Sequence, residues 1–431
     1  MKVGIIGGGI AGLTAAYELS KAGYQVHLFE KQAQLGGQAA TFEVAGTRLE
    51  RFYHHIFGSD IDVIQLIGEL GLSDKLEWLN SKVGFFYGGK IYDFVTPIEL
   101  LKFSPISLID RVRLGLITMY LRKYNKWQAL ENVTAREWLL KYGGRRSYDV
   151  VWGPMLRNKF GESADEVGMV WLWGKIHLRL SSRKGGKEQL GYMKGSYGVL
   201  VDELAERIAG SGGQISLSTP IEKIDTEAGK ATGIQAGGRI YPFDLIVATV
   251  PSPIFLKMVP ELPSDYAKKL ADVRYQGAAV LAMTLKRPLT HIYWMNISDP
   301  EIPFIAVVEH TNFVNPSVYG GKRVLYVSNY LPMDSPLYSM GKDELIACYL
   351  PHIKKFNPEF DTDWIEGSYL FHDDAGQPIV GTNYSSKIPD HKTPIAGLYL
   401  ANTTQIYPED RGMNYSVRLG RKVAQIVSHA G

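Results

Sequence analysis

The chain has 431 residues, 45% of them hydrophobic, and 47 lysines and arginines stand against 44 aspartates and glutamates for a net charge of +3. Such a balance gives no bulk electrostatic case for nucleic acid, and one cysteine, Cys348, rules out an internal disulfide and a closed cysteine-rich zinc site. The length calls for about two domains, and no run of about twenty uninterrupted apolar residues suggests a spanning helix.

The first forty residues read as a phosphate-binding turn between a strand and a helix. Val3 to Ile6 form the apolar run that a buried parallel strand needs. Gly7, Gly9 and Gly12 then give GxGxxG: one glycine for the tight turn, one for close approach of backbone to a pyrophosphate, one for helix–sheet packing. A helix follows from Ile10 and Ala11 through Leu19 to Gly23, its first amides aimed at the phosphates. Val26 to Phe29 make a second strand closed by Glu30, placed to accept hydrogen bonds from a ribose, with Lys31 beside it. The motif starts almost at Met1, which points to a cytoplasmic protein.

A second glycine pair, Gly36-Gly37, is followed by Gln38 and Thr41. In this order the run resembles the N-terminal signature of the FAD-binding superfamily that includes amine oxidases, protoporphyrinogen oxidases, phytoene desaturases and, more distantly, UDP-galactopyranose mutases. The resemblance implies FAD rather than NAD. Gln34 and Gln38 stand where many members carry arginine, so backbone amides are expected to neutralise more of the pyrophosphate.

Next comes RFYHHIFGSD, similar to the histidine segment with which the mutases line the flavin. Histidine titrates near neutrality and suits proton transfer beside a flavin, which makes His54 and His55 the candidate catalytic residues; the other reading is two satisfied core histidines. Residues 61–78 carry a helical pattern, and Phe85 to Tyr92 reads as a hairpin turning at Gly88-Gly89. From Pro97 to Tyr142 the pattern is mostly helical and is assigned to a cap. Within residues 100–127, apolar positions alternate with Lys102, Arg111, Arg113, Arg122, Lys123 and Lys126, which fits either a peripheral membrane contact or an ordinary cap helix pair. Trp152, Trp171 and Trp173 interleave with Lys175, His177 and a basic turn at 183–186, a composition suited to an anionic small-molecule substrate or to a solvated loop.

The chain rejoins the first domain near Leu190. A helix is expected over 199–209, a strand over 214–217, an edge over 220–224 and a buried strand within 243–251. The superfamily resemblance implies that Ile221 meets the adenine. Residues 278–369 read as strands of an antiparallel sheet with one helix over 342–356. The closing segment, GLYLANTTQIYPEDRGMNYSVRLGRKVAQIV, reads as a strand and an amphipathic helix. The resemblance places Asn402, Arg411, Met413 and Asn414 at the flavin, the helix start facing its pyrimidine oxygen.

The expected fold is therefore α/β: a Rossmann-type FAD-binding domain (1–80, 190–260, 371–431) interrupted by a mixed substrate domain of antiparallel sheet and helical cap (81–189, 261–370). No second dinucleotide unit appears, so a dedicated NADPH domain is missing, and Cys348 lies far from the flavin segment, so the FAD is expected to be noncovalent. The function expected is oxidation of a small organic substrate by hydride transfer to flavin. The alternative is a non-redox isomerase resembling the mutases. Oligomeric state is open.

Overall fold

The computed structural model describes residues 1–181, 183–184 and 187–429; the basic turn expected at 183–186 lies partly outside them. Five parallel strands, β1 (Lys2–Ile6), β2 (Gln25–Phe29), β3 (Gln214–Ser216), β4 (Leu245–Ala248) and β5 (Leu398–Leu400), form the nucleotide sheet in the order β3-β2-β1-β4-β5. β4 and β5 are buried throughout, as both-face coverage by other layers demands of a parallel sheet. Strand order reverses between β1 and β4, which run in register from Val3–Leu245 to Ile6–Ala248. A ligand crevice is expected beyond the carboxyl ends of strands at such a reversal.

The opening helix Ile10–Lys21 and the closing helix Met413–Ser428 pack together over this sheet. Their approach is close because Gly420 has no side chain: a Cβ there would sit 2.5 Å from the Ala11 carbonyl oxygen and 2.7 Å from Thr14 Cβ. Leu13, Leu19, Val423 and Val427 are buried around the contact, each contributing roughly 1.5–3 kcal/mol.

The second layer is a seven-stranded sheet built from Ile365–Pro378, Tyr275–Leu285, Arg323–Leu331, Ala306–Glu309, Trp294–Ile297, Val83–Tyr87 and Lys90–Asp93, in that spatial order. It is mixed rather than purely antiparallel, because Trp294–Ile297 pairs in parallel with Val83–Tyr87. The expected hairpin is present, with Gly88 and Gly89 at φ +60° and +75°. Helix Lys342–Ile353, which carries Cys348, covers this sheet remote from the nucleotide crevice.

Three boundaries differ from expectation. The helix expected over 61–78 ends at Glu69, because Gly71 takes φ +76° and the Leu72 amide turns back to the Ile67 carbonyl; Leu76–Asn80 is then a strand paired with Lys187–Met193. The edge expected over 220–224 begins at Lys223, since Pro220 has no amide to donate. The boundary expected at residue 371 falls inside Ile365–Pro378, a strand paired with Tyr275–Leu285 nearly end to end.

Among the described residues no helix is long and apolar enough to cross a membrane, and no group of histidine, cysteine, aspartate or glutamate side chains could hold a metal.

Candidate active site

At the mouth of the reversal, Gly7 takes φ +107°, and a Cβ on it would lie 2.6 Å from Thr249 Oγ1. That hydroxyl donates to the carbonyls of Ile6 or Gly7, 3.0 and 3.2 Å away, locking the turn to β4. Gly12 is required more strictly still, since a Cβ there would fall 2.0 Å from the Gly7 carbonyl oxygen. Gly9 differs: the nearest atom to its Cβ would be Gly37 Cα at 3.9 Å, which leaves room above it. Gly36 donates to the Gly8 carbonyl at 2.8 Å, so the two glycine pairs form one surface. The Gly9 cap supplies no side chain to the opening helix, and the amides of Ile10, Ala11 and Gly12 form its first turn.

Glu30 is buried, and its carboxylate accepts from the Gly8 amide at 2.7 Å and the Gln32 amide at 2.8 Å. Lys31 is exposed. The Thr219 amide donates to the Glu30 carbonyl, which brings the loop carrying Ile221 beside the ribose end of the crevice.

The donor set fits FAD. An open glycine cradle lies at an uncapped helix start, a carboxylate stands at the end of β2, and Gly412 leaves the closing helix uncapped at Met413 and Asn414. Arg51 adds a donor that sequence reasoning missed: its amide bonds the Ala40 carbonyl beside the glycine pair, and its buried Nε has no hydrogen-bond partner among the described residues. Its guanidinium lies over the Phe371 ring, 5.8 Å from the centroid. Asn402 is otherwise occupied, donating to Val250 and Ser252 and accepting from Thr404. Asn414 Oδ1 accepts from the Val63 amide and ties the helices together.

Beyond the cradle a polar network runs from the glycine pair to the cap. Gln38 donates to Asp373 at 2.9 Å and accepts from Arg411 at 3.1 Å. Arg411 donates to Gln377 and to the Tyr330 hydroxyl. Gln377 donates to Asp410, which also accepts from Trp171 Nε1 at 2.9 Å, Lys159 at 2.7 Å and Lys175 at 2.8 Å. A register shift opposite Gln276–Ala278 bulges the strand between Asp373 and Gln377, the sort of irregularity that re-aims side chains beside active sites. Burial pushes the Asp410 carboxyl up, but Lys159, Lys175 and Arg411 outweigh it and hold the group well below the usual range. Burial, with Lys175 and Arg411 nearby, pushes the Lys159 ammonium down to about 7 against the pull of Asp410.

The two histidines have parted. His54 Nδ1 lies 2.5 Å from the Phe52 carbonyl, and burial, reinforced by Arg411, holds its pKa down at about 4. A carbonyl only accepts, so the neutral ring carries its proton on Nδ1 and leaves Nε2 as an acceptor. His55 bonds the Tyr293 hydroxyl at 3.0 Å and packs edge-on against Phe57, Tyr293 and Trp294. Lys159, Asp410, Gln377 and Tyr330 were invisible in sequence. Trp171 and Lys175, four apart on the helix Met169–Ser181, had only their basic and aromatic setting to single them out.

Sheet, glycine cradle and uncapped helix starts together define a flavin-binding α/β protein. The chain belongs to the flavin-containing amine oxidoreductase family, whose model matches residues 10–428, and its cofactor is FAD. It is 24% identical to a 15-cis-phytoene desaturase of Oncidium hybrid cultivar over 99% of this chain and 78% of that protein. Among solved structures it is similar to reduced UDP-galactopyranose mutase (TM-score 0.78, 16% identity, 100% and 96% of the two chains). It is also similar to cyclohexylamine oxidase from Brevibacterium oxydans (TM-score 0.76, 16% identity, 99% and 98%).

Proposed function

We propose that this protein is an oxidoreductase that takes a hydride from a small organic substrate bearing a carboxylate or phosphate. The observation that carries the reading is the cation cluster at Asp410, where Lys159, Lys175 and Arg411 surround one carboxylate. With Lys159 acting as the free amine, Lys175 and Arg411 are the standing cations beside Asp410. Lys175, its side chain 41% exposed, is the cation open to an incoming anion.

Bound FAD supplies the hydride acceptor. The cradle amides and Arg51 would hold its pyrophosphate and Glu30 its ribose. The uncapped start at Met413 and Asn414 would oppose negative charge on the pyrimidine side. Lys159 is the proton acceptor as hydride leaves, since a pKa near 7 matches the task. Neutral His54 offers Nε2 to orient a substrate O–H or N–H. His55 supports the aromatic wall rather than the chemistry.

The test is an anaerobic titration of the FAD-loaded protein with small carboxylates and phosphates that carry an oxidisable C–H bond, with NADPH alongside. The reading expects substrates to bleach the visible flavin band and NADPH to leave it unchanged, with Lys175→Gln raising the substrate concentration required. A non-redox isomerase acting on an anionic sugar could use the same cations. Bleaching by NADPH, followed by isomerisation without net oxidation, would establish that function instead.

A further inference from the structure

Helix Leu108–Lys123 presents apolar side chains on two sides. Leu114, Ile117 and Leu121 are buried in the cap, where they belong to the same cluster as Met169 to Trp173. On another side Leu108, Ile109, Val112, Leu116, Met119 and Tyr120 are exposed, Ile109 at 80% and Leu116 at 63%. At about 100° per residue these six fall within an arc of about 120°. Ile98 and Leu101 extend the exposed surface from the preceding helix Pro97–Lys102. Cap packing accounts for the buried side alone.

The charges around this surface are mostly basic. Residues 97–126 hold six basic side chains and two acidic ones. Both acids are engaged in capping: Glu99 accepts from the Val95 and Thr96 amides at 2.7 Å, and Asp110 from the Ser107 hydroxyl at 2.7 Å. On the same helical projection Arg113 borders one edge of the apolar arc, and Arg111 and Arg122 the other. Arg111 donates to the Leu101 and Ile106 carbonyls, so it fixes the two helices against each other while keeping its charge. Lys102, Arg122, Lys123 and Lys126 are exposed.

We infer that this face seats the protein on an anionic bilayer surface, the apolar arc entering the acyl boundary and the cations meeting lipid phosphates. An apolar helix face rimmed by lysine and arginine lies in the interface plane by burying the first and neutralising headgroups with the second. The docked helix is one layer from the candidate site. The Tyr124 carbonyl at its end accepts from Trp173 Nε1 at 2.6 Å, and Trp173 shares its helix with Trp171 and Lys175. The inference stands apart from the proposed reaction.

The test is flotation of the FAD-loaded full chain with phosphatidylcholine vesicles, with and without about 30 mol% phosphatidylglycerol. Wild type is expected to float with the anionic vesicles at low salt and to dissociate as salt rises. Ile109→Glu combined with Leu116→Glu should lower the bound fraction by about tenfold with melting temperature and flavin content unchanged. Replacing Lys102, Arg122, Lys123 and Lys126 with glutamine should remove the preference for anionic vesicles. Folded wild type that stays with neither vesicle at low salt overturns the inference. So does a solution dimer that Ile109→Glu converts to monomer, because the face would then belong to a second copy.

Discussion

The Asp410 carboxylate lies 2.7 Å from the Lys159 ammonium, and both are largely buried, at 5% and 16% side-chain exposure. This pair couples the chain entering the closing helix to the helix Gly153–Phe160 of the cap. Removing Asp410 takes away the carboxylate that Lys159, Lys175 and Arg411 share, leaving three basic groups facing one another where water is scarce. Asp410→Asn is therefore expected to lower unfolding stability by about 3 kcal/mol, measured by denaturant titration. Combining it with Lys159→Met should recover part of that loss, because the most buried amine of the cluster is then replaced by an apolar side chain.

Lys159 also sets a pH dependence. Its folded pKa is held down at about 7 by burial and neighbouring cations, so the free amine accumulates as pH rises through about 7. Substrate-driven flavin reduction should rise across that range and level off above it. Lys159→Met should be slow with no limb near neutrality. An unchanged profile would remove Lys159 from the proton path.

Acid stability tests a different buried group. His310 is 1% exposed, its Nε2 2.8 Å from the Tyr319 hydroxyl, and burial pushes its pKa down to about 3. A depressed folded pKa contributes stability that is present above the unfolded value near 6.5 and lost as pH falls through the folded one. Between about pH 6 and about pH 4, wild type should lose about 1.4 kcal/mol per pH unit more than His310→Gln, the slope of one proton. Parallel slopes would show that the ring charges freely.

Arg51 is expected to act on the cofactor. Its buried Nε has no hydrogen-bond partner among the described residues, so Arg51→Gln should weaken FAD binding by about tenfold, the scale of one charge-assisted hydrogen bond. The FAD-free melting temperature should hardly change. Fluorescence titration of the FAD-free protein reads the first and a thermal melt the second.

The sequence displayed whatever was local. Strand, glycines, helix and Glu30 lie within thirty residues and obey short-range rules, so the strand–turn–helix–strand order of the nucleotide unit was legible in the sequence. The Asp410 network joins Gln38, Lys159, Lys175, Gln377 and Arg411 from five separate segments, and no spacing along the chain encodes that meeting. The bulge near Asp373 depends on register against Tyr275–Leu285, equally silent in sequence. In Leu76–Asn80 the apolar side chains Leu76 and Leu79 fall on opposite faces and Trp78 is exposed, so the sequence lacks the alternation that announces a strand. The two histidines looked alike because adjacency hides direction: successive side chains of an extended chain diverge, His54 against the Phe52 carbonyl and the Tyr197 ring and His55 into the aromatic wall.

The most direct test of the FAD cradle is the visible spectrum of the purified protein after gel filtration, wild type beside Gly9→Trp. Gly9 has φ −75°, which any residue adopts, and open space above its Cα. The variant should therefore fold and melt like FAD-free wild type, yet come off the column colourless, while wild type carries one yellow flavin per chain. A Gly9→Trp protein that keeps its flavin, or a folded wild type that stays colourless after incubation with FAD, would contradict the assignment.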